Sequence, residues 1–137
     1  MNEGTHTNNI TKTASATMPR GAFVKLTAVD AGKVEACSAT DTDAIGVLLD
    51  SVDAGDNVAV ELLGVSNRTI VALADGEISA GGKVCLSANG AVKAIPAKGA
   101  SAQTVQVVGL ALGNSVGKGD LVEMDAHRCE QLTIAAQ

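Results

Sequence analysis

Aromatic side chains are almost missing from this sequence: it has no Trp, no Tyr and a single Phe, Phe23. A base-stacking platform for single-stranded nucleic acid is built from aromatic rings, so that function has little to stand on. Clustered positive charge is missing too. The ten Lys and Arg residues are scattered singly in a chain of net charge −5, without the basic footprint that phosphate backbones require, and direct nucleic-acid binding is not expected. Histidine is scarce: His6 lies in a polar N-terminal stretch and His127 near the other end. A nucleophile needs a base within hydrogen-bond reach, and neither His has a Ser or Cys in a recognisable setting; Cys129, two residues after His127, shows no sign of activation. The reading is a protein that is not an enzyme.

The three cysteines, Cys37, Cys85 and Cys129, are far apart, odd in number and without CxxC spacing. That argues against a disulfide framework or a zinc site, and they read as small buried apolar residues in a reducing compartment. No apolar run approaches membrane-spanning length, so no membrane partner is expected. Met1–Ala16 lacks the apolar stretch of a signal peptide, and in an unsecreted chain the Asn9-Ile10-Thr11 and Asn67-Arg68-Thr69 triplets go unglycosylated.

What is present is a core of small aliphatic side chains in 137 residues, 46% of them hydrophobic, enough for one compact domain. A fully buried Val or Leu contributes about 1.5–3 kcal/mol. With so few large side chains, the domain is expected to gain stability from self-association as well.

Short Val- and Leu-rich runs broken by Gly, Asp and Asn follow one another along the chain. Ala22–Leu26, Lys33–Cys37, Ala44–Leu49, Asn57–Leu63, Thr69–Leu73, Lys83–Ser87, Ala91–Ile95, Thr104–Leu112 and Leu121–Met124 are the expected strands. Val58, Val60 and Leu62 alternate with Ala59 and Glu61, the pattern of a half-buried strand, and no helical periodicity persists over three turns. Asn89-Gly90 lies between two apolar runs. It supplies the two positive φ values of a type I′ turn, which predicts a hairpin over Lys83–Ile95. Met1 to about Asn9 is polar, and Ile10–Thr17 suits an extended edge segment. Residues 1–17 are therefore expected to form an N-terminal arm and residues 18–137 a barrel-like body.

That body contains an internal repeat, 18–62 and 78–126. Gly21, Val24 and Leu26 match Gly81, Val84 and Leu86; Gly32 and Val34 match Gly90 and Val92. Ile45-Gly46 matches Val108-Gly109, and Gly55-Asp56 with Val58 matches Gly119-Asp120 with Val122. Gly46 and Gly109 sit inside strands, which marks a bulge, a bend or a close backbone approach. The fold class is all-β: a small barrel-like body from a duplicated strand unit, with an extended N-terminal arm.

Three segments imitate chemistry. Gly113–Gly119 looks like a phosphate loop, but it is one residue short between its glycines, has Gly119 where Ser or Thr must bind magnesium, and precedes a strand instead of a helix. Asp50, Asp53 and Asp56, with Asp41 and Asp43 upstream, lack the density and closing Glu of a calcium loop and read as turn formers. Lys118–Met124 shares the vocabulary of lipoyl and biotinyl carrier domains, yet Met124 is followed by Asp125 where the modified Lys belongs, and the Asn89-Gly90 tip carries no Lys. No cofactor and no metal are expected; a carrier or small-ligand β domain is the alternative from another class.

The order of Thr13–Leu26, Asp43-Ala44-Ile45-Gly46-Val47, Ala54-Gly55-Asp56-Asn57-Val58-Ala59-Val60, Ile78-Ser79-Ala80-Gly81-Gly82-Lys83-Val84, Val107-Val108-Gly109-Leu110-Ala111 and Gly119-Asp120-Leu121-Val122-Glu123 resembles the capsid cement, or decoration, proteins of tailed bacteriophages. The resemblance spans about Ile10 to Ile134. It implies a β-barrel or β-tulip body, a homotrimer over three-fold positions of the head, the major capsid protein as partner, and a place on the virion's outer capsid surface after assembly in the host cytoplasm. It also implies that the N-terminal segment grips neighbouring subunits, which makes Ile10, Thr11, Lys12, Thr13, Ser15 and Thr17 the candidate contact residues. An edge strand added to another subunit draws its affinity from main-chain hydrogen bonds, and repetition on a shell multiplies weak contacts. A phage fibre or tail component is the alternative within the structural class.

Overall fold

A computed structural model describes residues 9–64 and 69–137, and every regular element longer than one turn among them is a β-strand. The first five strands are β1 (Asn9–Ala14), β2 (Phe23–Leu26), β3 (Lys33–Ala36), β4 (Gly46–Leu48) and β5 (Asn57–Leu62). The next five are β6 (Ile70–Leu73), β7 (Lys83–Leu86), β8 (Val92–Ala94), β9 (Gln103–Ala111) and β10 (Leu121–Ile134). The Val/Leu runs and Gly-containing turns place β2 to β9 to within a few residues, but only the first four residues of β10. The Asn-Gly hairpin forms as expected: Asn89 adopts φ 57° and ψ 35°, Gly90 φ 78°, and the Ala91 N–H donates to the Ala88 carbonyl at 3.2 Å.

β1 to β5 close into a barrel in the order β1-β3-β2-β4-β5, and the second five strands form a sheet in the order β6-β10-β9-β7-β8. The ends of that sheet meet at one parallel bridge, Ala74 to Val92, so its circular order β6-β8-β7-β9-β10 repeats that of the first. In the first unit the same position is a parallel pairing of Ala14 with Val34. Backbone hydrogen bonds recur at equivalent places. Gly21 N–H donates to Leu48 O at 3.0 Å and Gly81 N–H to Ala111 O at 2.8 Å; Gly55 N–H donates to Ala14 O and Gly119 N–H to Ala74 O, both at 2.9 Å. Reciprocal bonds tie Met18 to Val52 and Ile78 to Ser115. Closure of the first unit removes the sheet edges that would otherwise invite aggregation.

The N-terminal expectation is corrected here. Asn9–Ala14 does not project as an arm: β1 pairs antiparallel with β5 from Asn9↔Glu61 to Thr13↔Asn57 and parallel with β3, and so closes the first barrel. Its Thr-rich composition reads as an edge because it has few large apolar side chains, whereas its place in the sheet rests on main-chain bonds that composition does not report. Residues 1–8 of the expected arm lie outside the described residues.

The two interiors differ. Ala14, Met18, Ala22, Val24, Val34, Leu48, Val58 and Val60 pack inside the first barrel. The larger cluster belongs to the second unit (Ile70, Val84, Leu86, Val92, Val122 and Met124 among others) but also takes in Phe23, Cys37, Val47 and Leu63 from the first. Phe23, fully buried, thus faces away from its own barrel into the core of its neighbour. The same docking buries Glu61 to 2% exposure, although alternation along β5 places it on a polar outer face.

Gly46 and Gly109 stand where strands cross. A Cβ on Gly46 would strike the Glu61 carbonyl oxygen and Val60; one on Gly109 would strike the Asp125 carbonyl oxygen and the Ala126 Cα. A bulge accompanies the second crossing, since Val84 pairs with Gly109 but Cys85 with Val107. Gly46→Ala and Gly109→Ala are each expected to cost about 1–3 kcal/mol, the range for overpacking, seen as a lowered denaturation midpoint at unchanged slope. A wild-type midpoint in either variant would contradict this account of the crossings.

Candidate functional site

Each segment that imitates chemistry is used by the fold in another way. In Gly113–Gly119 the loop amides are already engaged: Val116 and Gly117 N–H donate to Asp120 Oδ2 at 3.0 and 3.3 Å, so a carboxylate of the chain itself sits where a bound anion would. Ser115 adds bonds from its Oγ to the Gly76 and Gly117 carbonyls. Asp50 accepts from the Ser51 amide at 3.0 Å. Among the described residues no three His, Cys, Asp or Glu side chains come together in a way that could hold a metal ion. Met124 is fully buried in β10, so the carrier-like phrase enters the core instead of forming a hairpin tip.

The ionisable groups near the join between the units show the same pattern. Lys25 Nζ and Asp41 Oδ2 pair at 3.0 Å, and the Ser38 amide donates to the same oxygen at 2.8 Å. Partial burial pushes the Asp41 carboxyl up, but the Ser38 bonds and the Lys25 ammonium outweigh it and hold the group below its ordinary value. An ion pair this open to solvent contributes under about 1 kcal/mol. His127 Nδ1 contacts the carbonyl of its neighbour Arg128 at 2.7 Å, and Cys129 Sγ points to the Asp41 carbonyl at 3.8 Å. The two side chains therefore engage different backbone groups.

Burial pushes all three thiols up, Cys37 to about 12. Since the thiolate is the reactive form, Cys37 and Cys85, both buried, are expected to resist a disulfide reagent at neutral pH. Half-buried Cys129 is expected to react first, and all three on unfolding. Thiol titration with and without denaturant checks this; labelling of Cys37 in the folded chain at its unfolded rate would contradict it.

The six candidate contact residues fall on or just after β1, and most of them are used locally. Ile10 packs against the first barrel's core. Lys12 Nζ donates to the Ala31 carbonyl at 2.7 Å, and Thr13 Oγ1 to Asn57 Oδ1 at 2.9 Å. The Ser15 amide donates to Val34 O at 3.0 Å, and Thr17 Oγ1 accepts from the Ala54 amide at 3.4 Å. The residues exposed at the surface here are Thr11, Ser15 and Thr17.

Two features went unread in the sequence. β9 and β10, of nine and fourteen residues, outrun their counterparts β4 and β5, of three and six. The excess forms a two-stranded ribbon pairing Gln103–Val107 with Glu130–Ile134, over a small cluster of Cys85, Val105, Val107, Ile95, Leu132 and Ile134. Leu110, Leu112 and Leu121 are partly exposed, and Val29 and Val116 are almost fully exposed on loops. The polar stretch His127-Arg128-Cys129-Glu130-Gln131 hid the ribbon, because it lacks the apolar alternation that announces a strand.

No family model matches this sequence, and no curated protein matches it. Among solved structures the chain is similar to the head fiber gp8.5 N base of bacteriophage phi29, with a TM-score of 0.66 and 16% sequence identity, over 89% of this chain and 95% of that one. At that identity the likeness is one of fold.

Proposed function

We propose that this protein is a non-enzymatic structural component of a bacteriophage head, a cement or decoration protein that binds the outer surface of the shell and stabilises it. The observation that carries the reading is the extent of the likeness: the chain matches a head fibre base in fold over 89% of its own length and 95% of that chain's. The sequence resemblance to cement proteins points the same way, and the side chains that could have signalled catalysis serve turns, caps and core instead. The partner is the major capsid protein, and the working form is a homotrimer whose repeated contacts on the lattice multiply a modest single-site affinity.

A second reading draws on the same likeness: the body is the base of a fibre that stands on the head. Co-sedimentation of purified protein with assembled heads, followed by electron microscopy, separates the two. A cement protein adds compact density at many equivalent shell positions, and a fibre base adds a stalk. Failure to pellet with heads would sink both readings. Intact mass reports on the carrier alternative, which requires a covalently modified Lys.

A further inference from the structure

The sequence contains one Asn-Gly pair, Asn89-Gly90, and the fold places it against the seam between the two β units. The Gly90 N–H donates to the carbonyl of Cys37, in the first unit, at 2.7 Å. Cys37 in turn donates from its amide to the Phe23 carbonyl at 2.9 Å. Gly90 is buried, and a Cβ there would lie 2.7 Å from the Phe23 carbonyl oxygen, while Asn89 itself is exposed.

We propose that Asn89-Gly90 is a latent deamidation site, sealed by the contact between the two units and opened when they part. Glycine after Asn leaves the following backbone nitrogen unhindered. In the reaction the Gly90 nitrogen loses its proton and attacks Asn89 Cγ, the N–Cγ bond forms, and the side-chain nitrogen leaves as ammonia, which gives a succinimide. One water then opens the ring at either carbonyl and leaves Asp or isoaspartate at position 89. Water is the only co-reactant, and nothing is oxidised or reduced. The exposed carboxamide gives water and ammonia free passage, so the sealed component is the nucleophile, whose proton is held by Cys37. Attack has to wait for an opening of the seam, as amide exchange does.

The isoaspartate product makes the opening one-way. Isoaspartate routes the main chain through the side-chain methylene and lengthens it by one carbon. The turn needs positive φ at both Asn89 and Gly90, with the Ala91-to-Ala88 bond across it. A lengthened backbone does not reproduce that geometry, and the Gly90 amide no longer reaches Cys37. The site thus records separation of the units, whatever the protein binds.

The test uses the full chain in mildly alkaline buffer, folded and in denaturant, with conversion at residue 89 followed by peptide mass spectrometry and Asn89→Asp marking the normal-linkage product. The folded chain is expected to convert at least about tenfold more slowly than the unfolded one. Phe23→Leu, a mild change beneath the seam, is expected to raise the folded rate several-fold and leave the unfolded rate alone. Amide exchange at Gly90 in the unaltered protein gives a readout that needs no variant, and is expected to be slow beside that of Val29. Equal folded and unfolded rates, no conversion in denaturant, or exchange at Gly90 as fast as at Val29 would each overturn the proposal.

Discussion

Removal of residues 1–14 is expected to unfold the first barrel, and not merely to strip a contact arm from a stable body. β1 is paired on both sides, with five residues in register against β5 and two against β3, and it contributes Ala14 and Ile10 to the interior. Without it the edges of β3 and β5 are open and the cluster around Val34, Val58 and Val60 meets water. The lost main-chain bonds are worth about 1 kcal/mol each net. With the lost burial the sum is on the order of 5 kcal/mol, comparable with the whole stability of a domain this size. Circular dichroism and a denaturant melt measure the result. Removing residues 1–8 alone leaves every described strand complete, and is the deletion with which to ask about head binding. A folded, wild-type-stable protein lacking residues 1–14 would show that the barrel does not need β1.

Phe23→Ala is expected to cost about 3–5 kcal/mol, the range for truncating a buried Phe. Phe23 is the largest fully buried side chain, and its ring belongs to the core of the second unit although its backbone belongs to the first. The cavity therefore opens at the join, where the Gly21 carbonyl accepts from Leu73 and the Cys37 carbonyl from Gly90. Little can collapse into it, because the lining comes from strands fixed in two different sheets. The equivalent residue of the second unit is Lys83, exposed at the start of β7, and Lys83→Ala is expected to change stability by less than about 0.5 kcal/mol. Urea unfolding of the two variants measures the contrast, and equal midpoints would remove the argument that the units are pinned together at Phe23.

The repeat could be read in the sequence because its marks are local. Glycine at 21 and 81 has φ of 87° and 88°, a conformation that other residues rarely adopt, so each turn left a glycine at a matching place. Aliphatic alternation likewise marked β5, and short apolar runs marked β2 and β7. The ribbon over Glu130–Ile134 left no such mark, since its side chains are mostly polar and its pairing with Gln103–Val107 comes from the backbone. The candidate contact residues lie on a segment whose setting could not be read: β1 is paired on both sides. Thr11, Lys12 and Thr13 look alike whether a strand lies at an edge or between two neighbours.

By itself the sequence determined an all-β body, the turns, the twofold grammar of the strands and the lack of any familiar catalytic constellation. These follow from φ restrictions, from period-two burial and from the residue inventory, all of which act over a few neighbouring positions. Only the tertiary structure decided that β1 closes a barrel, that Phe23 serves the neighbouring unit's core, and that Glu61 is covered. Those outcomes depend on which surfaces meet between residues far apart in the chain, and two equivalent units need not bury equivalent faces.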